Sequence, residues 1–247
     1  MIIYPAIDIK NGVCVRLVQG VEEMETQYFD DPLEPAKMFK DVGAEWVHVV
    51  DLDGAFTGEP KNTEIVKAIC DLGLKVQFGG GIRTFENVES ALSAGVSRIV
   101  VGTRACQDRG FVVDLAKKYG EKIAVGIDAR EGKVAVKGWV ETTDTPAVAL
   151  AQSVAEVGIK TIIYTDISTD GAMTGPNFEG QKHMWESVDC NVIASGGVHD
   201  NHDITHYKDL SERYPNLDGV IVGKAIYEHK IDLNRTFNIA TRPPFSK

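Results

Sequence analysis

A chain of 247 residues, 43% hydrophobic and free of Ser/Pro/Gly tracts or low-complexity runs, has the material for one large core, and α/β barrels routinely reach this length as a single domain. Its formal charge of −10 argues against nucleic acid or an anionic membrane surface as partner, yet leaves a phosphorylated substrate open, because backbone N–H groups at helix N-termini bind phosphate whatever the overall charge. No apolar run approaches a membrane span, the amino terminus lacks a signal-peptide pattern, and Cys14, Cys70, Cys106 and Cys190 form no C-x-x-C pair, so they read as reduced, mostly buried thiols of a cytoplasmic protein.

A β-branched run over Ile2–Asp8 opens the chain, and a long segment containing Arg16 separates it from the first helix. The second predicted strand, Trp46–Asp53, carries His48 in a valine-rich run, and Asn62 opens a helix with Ile65, Val66, Ile69 and Leu72 at helical spacing. A third strand, Lys75–Phe78, runs into Gly79-Gly80-Gly81 and Arg83, after which Thr84 caps a helix carrying Val88, Ala91 and Leu92. The fourth, Arg98–Val101, runs into Gly102-Thr103, and the fifth covers Ile123–Asp128. Thr145-Pro146 reads as an N-cap with proline at the first helical position, followed by Val148, Leu150, Ala151 and Val154. Strands six to eight are Thr161–Ile167, Asn191–Ala194 and Gly219–Val222, the last running into Gly223-Lys224. Most of these runs are continuously apolar, as parallel strands covered by helices are. Strand and helix alternating eight times predict a (β/α)8 barrel, with a doubly wound sheet as the rival.

Repetition favours the barrel. Asp8 recurs as Asp128, the run Val50-Asp51-Leu52-Asp53-Gly54-Ala55 as Thr165-Asp166 with Asp170-Gly171-Ala172, Gly80-Gly81 as Gly196-Gly197, and Gly102 as Gly223, all 115 to 121 residues apart and in one order. Such self-similarity marks a duplicated architecture, with half-barrels over about 1–120 and 121–240 and an unassigned tail at 241–247. In a barrel these residues fall at the carboxyl ends of strands, where active sites are built, and the turns after the last two strands form a recurrent phosphate site. Two phosphate cradles, Gly80-Gly81 with Gly102-Thr103 and Gly196-Gly197 with Gly223-Lys224, imply a substrate phosphorylated at both ends.

Carboxylates facing each other across such a pocket suit proton transfer, one ionised as base and the other protonated as acid. Asp8 and Asp128 are the leading pair, while Asp51, Asp53 and Asp166 compete with helix caps for the same strand-end positions. His48 either packs in the barrel or points into the pocket beside Asp8. Arg16 and Arg83 are placed to meet substrate anions, or else form surface ion pairs. His199, His202 and His206 lack any established zinc spacing, and Tyr207, Lys208 and Asp209 beside them suggest a solvated helix, so no metal is expected.

Taken together, Pro5-Ala6-Ile7-Asp8, Val50-Asp51-Leu52-Asp53-Gly54-Ala55, Gly79-Gly80-Gly81-Ile82-Arg83, Gly126-Ile127-Asp128-Ala129-Arg130, Lys137-Gly138-Trp139, Tyr164-Thr165-Asp166-Ile167 and Gly223-Lys224-Ala225-Ile226-Tyr227 resemble the phosphoribosylformimino-5-aminoimidazole carboxamide ribotide isomerase family of histidine biosynthesis. The resemblance covers about residues 1–233 and implies a cytoplasmic, cofactor-free enzyme, expected to be monomeric, that converts an aminoaldose to an aminoketose by an Amadori rearrangement. It assigns Asp8 as general base and Asp128 as general acid, with Asp170 as an alternative acid. Thr165 and His48 join the catalytic group, and Trp139, Gly171 and Ser195 join the glycine turns, Arg16 and Arg83 as substrate contacts. Alternatives are a bifunctional isomerase that also accepts phosphoribosylanthranilate, the related barrel cyclase of the same pathway, and a non-catalytic sugar-phosphate binder. The sequence departs from the family at Arg104, at His229 where glycine is usual, in the long segment His199–Asp218, and in the tail.

Overall fold

The computed structural model of the chain describes residues 1–243. Its strands in chain order are β1 (Ile2–Lys10), β2 (Val13–Val18), β3 (Val21–Phe29), β4 (Trp46–Asp51), β5 (Lys75–Gly79), β6 (Arg98–Val101), β7 (Ile123–Arg130), β8 (Lys133–Val136), β9 (Glu141–Pro146), β10 (Thr161–Asp166), β11 (Asn191–Ser195) and β12 (Leu217–Val222). Parallel pairing runs β1–β4–β5–β6–β7–β10–β11–β12 and returns to β1, where Ile2–Pro5 lie beside Gly219–Val222. This is the closed (β/α)8 barrel.

Both faces of each barrel strand are covered, which explains the continuously apolar runs. Outward residues such as Val49, Phe78, Ile99 and Ile127 pack beneath the helices, while Tyr4, Ala6, Ile163, Ile193 and Ile221 fill the interior. Phe78, Ile99 and Ile127 are fully buried, and each such side chain contributes about 1.5–3 kcal/mol.

Two elements were hidden from the sequence reading. The segment after β1 is a hairpin flap, β2–β3, with β2 antiparallel to both β1 and β3. The second half grows the matching flap, β8–β9, on β7. Arg16 therefore lies on a strand and not in a loop.

Several local expectations are corrected. The second strand stops at Asp51, because Leu52–Thr57 form a short helix capped by the Asp51 carboxylate, which accepts from Gly54 N at 2.8 Å. Thr145 is no cap: Thr145 and Pro146 stay extended in β9, with Pro146 paired to Lys133, and the helix starts at Ala147. Asn62 stands at the start of helix Thr63–Asp71, but its side chain turns away to Asp51 and Asp53. Thr84 caps helix Phe85–Ser93 in a reciprocal capping box with Asn87.

The histidine-bearing helix, Asn201–Ser211, is less solvated than its composition suggests. His202 and His206 are exposed, but Tyr207 is fully buried and Lys208 nearly so. Asn201 stitches this helix to the last one, Leu233–Thr241, through Thr236 Oγ1 at 2.7 Å, and Arg242 Nη2 pairs with Asp209 Oδ1 at 2.7 Å. The unusual segment and the start of the tail thus pack on each other; residues 244–247 lie outside the described part. His229 adopts φ 54°, the left-handed conformation that suits the family's usual glycine. The four cysteines are free, and only Cys14 is fully buried, the others being partly buried. No helix among the described residues is long and apolar enough to cross a membrane.

Candidate active site

One pocket opens at the carboxyl ends of the barrel strands, and its wall gathers Asp8, Asp128, Asp170, His48, Thr165, the arginines and the glycine turns singled out above, whereas Asp51, Asp53 and Asp166 do not line it. Asp8 enters from β1 and Asp128 from β7, the first strands of the two halves. Thr165 sits beside Asp128 in register on β10, and Ser195 ends β11. Asp170 and Gly171 come from the loop after β10.

The three carboxylates have different surroundings. Arg16 Nη1 lies 2.8 Å from Asp8 Oδ2. Burial lifts the Asp8 carboxyl above its ordinary range and the guanidinium pulls it back. Asp128 is likewise lifted by burial, held back by neutral donors: the Trp139 indole N–H, which reaches its Oδ2 at 2.7 Å, and the Thr165 hydroxyl. Asp170 is pushed up to about 6, first by burial and then by the charges of Asp8 and Asp128, against the pull of Arg16 and Lys224. Three carboxylates lining one pocket in different surroundings, with Asp170 sensing the charges of the other two, suit proton transfer.

Duplication explains what the remaining aspartates do. Asp51 accepts from Gly54 N, Lys61 N, Asn62 N and Asn62 Nδ2 at 2.6–2.8 Å, and Asp166 from Ser168 N and Asn177 Nδ2 at 2.9 and 2.7 Å. In each half an asparagine eleven residues after the aspartate completes the clamp, a spacing legible in the sequence once the repeat is aligned. Asp53 and Asp170 occupy corresponding places and have diverged. Asp53 Oδ2 fastens the flap, accepting from Asn11 N at 2.7 Å and Asn62 Nδ2 at 2.9 Å, whereas the Asp170 side chain faces the pocket without such donors.

The glycine turns match between halves. Gly80, Gly81, Gly196 and Gly197 all have φ between 76° and 107°. A Cβ at Gly80 would collide with the Asp51 carbonyl, and one at Gly196 would come within 2.6 Å of the Asp166 carbonyl, so the close crossing of neighbouring loops demands glycine. Gly102 and Gly223 precede short helices, Thr103–Gln107 and Lys224–Tyr227, in nearly identical conformations (φ −98° and −113°, ψ −106° and −105°) and with no side chain capping the first N–H groups. Lys224 Nζ reaches Gly171 O at 3.3 Å, and Thr103 Oγ1 accepts from Lys137 N at 3.0 Å. Arg104 pairs with Asp108 at 2.7 Å and still lines the pocket.

The flaps meet above the pocket. Lys137, Gly138 and Trp139 follow one another at φ 56°, 66° and 70°, a strained turn that aims the indole at Asp128. The Trp139 ring also lies flush against Gly20 of the first flap, where no Cβ would fit. Gln19 N donates to Asp170 O at 3.2 Å, tying that flap to the loop carrying the third carboxylate. Gln19 and Gly20, at the tip of the flap, belong to the site through these two contacts. Arg83 is exposed and leans on Gly58, its Nη2 3.4 Å from Ala55 O. Among the described residues no group of three or more His, Cys, Asp or Glu side chains is disposed to hold a metal ion.

Residues 2–232 match the histidine biosynthesis protein family. A relative from Opitutus terrae is 54% identical over 240 residues, 97% of this chain and 99% of its own. One from Ruminiclostridium cellulolyticum is 51% identical over 94% of this chain and 97% of its own, and one from Clostridium botulinum 45% over 98% of both. All three are named 1-(5-phosphoribosyl)-5-((5-phosphoribosylamino)methylideneamino) imidazole-4-carboxamide isomerase. With a duplicated barrel, paired strand-end aspartates and near-full-length matches of this strength, the chain belongs to the histidine biosynthesis protein family.

Proposed function

We propose that this protein catalyses the Amadori rearrangement of the histidine pathway, converting the phosphoribosyl aminoaldose of its bisphosphorylated substrate to the phosphoribulosyl aminoketose. The observation that carries the reading is the gathering of Asp8, Asp128 and Asp170 between two matching glycine turns, in a chain so close to named isomerases. Those names favour the isomerase over the cyclase. An acid protonates the ring oxygen as its bond to C1 breaks, leaving an iminium; a base removes the C2 proton, and the enolamine becomes the ketone. Asp128 acts as the acid and Asp8 as the base. Asp170, whose carboxyl is pushed up to about 6 and so holds a proton more readily than an ordinary aspartate, is the second candidate for the ring-oxygen proton. The rearrangement needs only proton transfers, so it calls for no metal or organic cofactor.

The glycine turns hold the two phosphates through uncapped backbone N–H groups and helix N-termini. Arg16 serves the same end: while its Nη1 pairs with Asp8, its Nε is buried without a hydrogen-bond partner, a cost of about 1–3 kcal/mol that a substrate oxygen relieves. Trp139 and Arg83 close over the pocket, and Thr165, Ser195 and Gly171 line its second-half wall. One chain supplies every one of these groups, which fits a monomer, and free cysteines fit the cytoplasm. Turnover of Asp8→Asn and Asp128→Asn, measured with the histidine-pathway substrate and separately with phosphoribosylanthranilate, tests the assignment. Each variant should lose at least ~10²-fold while still binding a product analogue. Near-normal turnover of Asp8→Asn removes the base, and a mild Asp128→Asn beside an inactive Asp170→Asn transfers the acid role.

A further inference from the structure

A line of hydrogen bonds rises through the barrel and ends at His48, and proton transfer between aspartates does not account for it. At the amino-terminal end the Tyr4 hydroxyl donates to Asp218 Oδ2 at 2.6 Å. Its oxygen accepts from Arg98 Nη1 at 3.2 Å, and the same Nη1 reaches Gln77 Oε1 at 3.0 Å. Gln77 Nε2 lies 3.0 Å from His48 Nδ1. Gln77 is fully buried and sits beside His48 in register between β5 and β4. Arg98 is steadied further by the Trp46 ring, whose centroid is 4.6 Å from its guanidinium carbon.

Every link has one direction. The Asp218 carboxylate takes the Tyr4 hydrogen, which leaves the hydroxyl lone pairs for Arg98. A guanidinium has donors and no acceptor, so the amide oxygen of Gln77 must face it. The amide NH2 then faces His48, and Nδ1 has to be the nitrogen with the lone pair. The ring proton is left on Nε2, which has no hydrogen-bond partner among the described residues, while His48 itself lines the pocket. The groups around the ring reinforce a neutral imidazole: neutral Gln77 from β5, Arg16 from β2, and burial, with Ala6 as its register partner on β1 and Asp8 two residues beyond. Burial first and Arg16 second hold its pKa down to about 3.

We propose that Arg98 and Gln77 are positioning residues that lock His48 as the neutral Nε2–H tautomer and so present a fixed hydrogen-bond donor to a substrate oxygen at the pocket floor. The identity of that oxygen rests on the isomerase reading; the tautomer does not. A neutral donor stabilises negative charge developing on an oxygen without competing with the aspartates for the proton.

Protein labelled with 15N-histidine reports Nδ1 and Nε2 separately. One imidazole, identified by its disappearance in His48→Gln, should show a bare Nδ1 and a protonated Nε2, unchanged between about pH 6 and pH 8. Gln77→Glu places an acceptor against Nδ1 and should move the proton there, with kcat falling at least ~10-fold and KM little changed. Arg98→Lys keeps a donor-only partner and should retain the tautomer, whereas Arg98→Met should yield a mixture. Protonated Nδ1 in the wild-type protein overturns the lock, and that spectrum decides even where a variant fails to fold. An unmoved tautomer in Gln77→Glu overturns it equally. A moved tautomer with unchanged kcat overturns the role toward substrate. A locked tautomer in a wild-type protein that turns over neither pathway substrate counts against the isomerase reading alone.

Discussion

Asp170→Asn should make the protein more stable at pH 8 while damaging its reaction. The native carboxyl titrates at about 6 against an ordinary 3.8, because burial and the neighbouring Asp8 and Asp128 oppose its charge. A native pKa above the unfolded one means that Asp170 supports the fold fully below pH 3.8 and loses that support as pH rises through about 6. The shift of about two units corresponds to about 3 kcal/mol at 1.36 kcal/mol per unit. Partial exposure to solvent reduces this to about 1–2 kcal/mol. Asparagine carries no charge, and the backbone bond from Gln19 N to the residue's carbonyl survives the change. At roughly 2–4 °C per kcal/mol for a chain of this size, the variant's Tm should exceed wild type by about 2–8 °C at pH 8. The gain should fade as pH falls and vanish near pH 4. Thermal and urea unfolding of both proteins across pH 4–8 measures it. A variant no more stable than wild type at pH 8, or a gain independent of pH, would refute the claim that buried charge at Asp170 strains the fold.

Asp51→Ala strands four donors, three of them backbone N–H groups, and should lower stability by about 3 kcal/mol or more, visible as a drop in urea midpoint larger than that of Asp166→Ala. Trp139→Phe removes the indole N–H that favours ionised Asp128, so the alkaline limb of the kcat–pH profile should move to higher pH; an unmoved limb means that Asp128 is not the group it reports. Crystals grown in sulfate should show anions at both turns, Gly80-Gly81 with Gly102-Thr103 and Gly196-Gly197 with Gly223-Lys224, and two empty turns would end the two-cradle account.

Much of this protein is legible without coordinates. Parallel strands covered on both faces demand continuous apolar runs, and the duplicated order of Asp8/Asp128, Gly80/Gly196 and Gly102/Gly223 places the site at one end of a barrel. The flaps leave little trace in the sequence for a physical reason. β3 is exposed along most of its length, so its residues obey no burial period, and only the turns betray it: Asn11-Gly12, Gln19-Gly20 and Glu131-Gly132 all have positive φ at both positions, the two-residue hairpin geometry. Asn-Gly at 11–12 was a readable hairpin signal. Sequence likewise cannot rank aspartates that share a motif. Asp51, Asp53 and Asp170 differ by which N–H groups the folded loops bring to them, so two became clamps and one was left facing the pocket. His48 needed the fold most of all. Whether it packs or points, and which nitrogen keeps the proton, depends on Arg98 and Gln77, brought beside it only by the register of neighbouring strands.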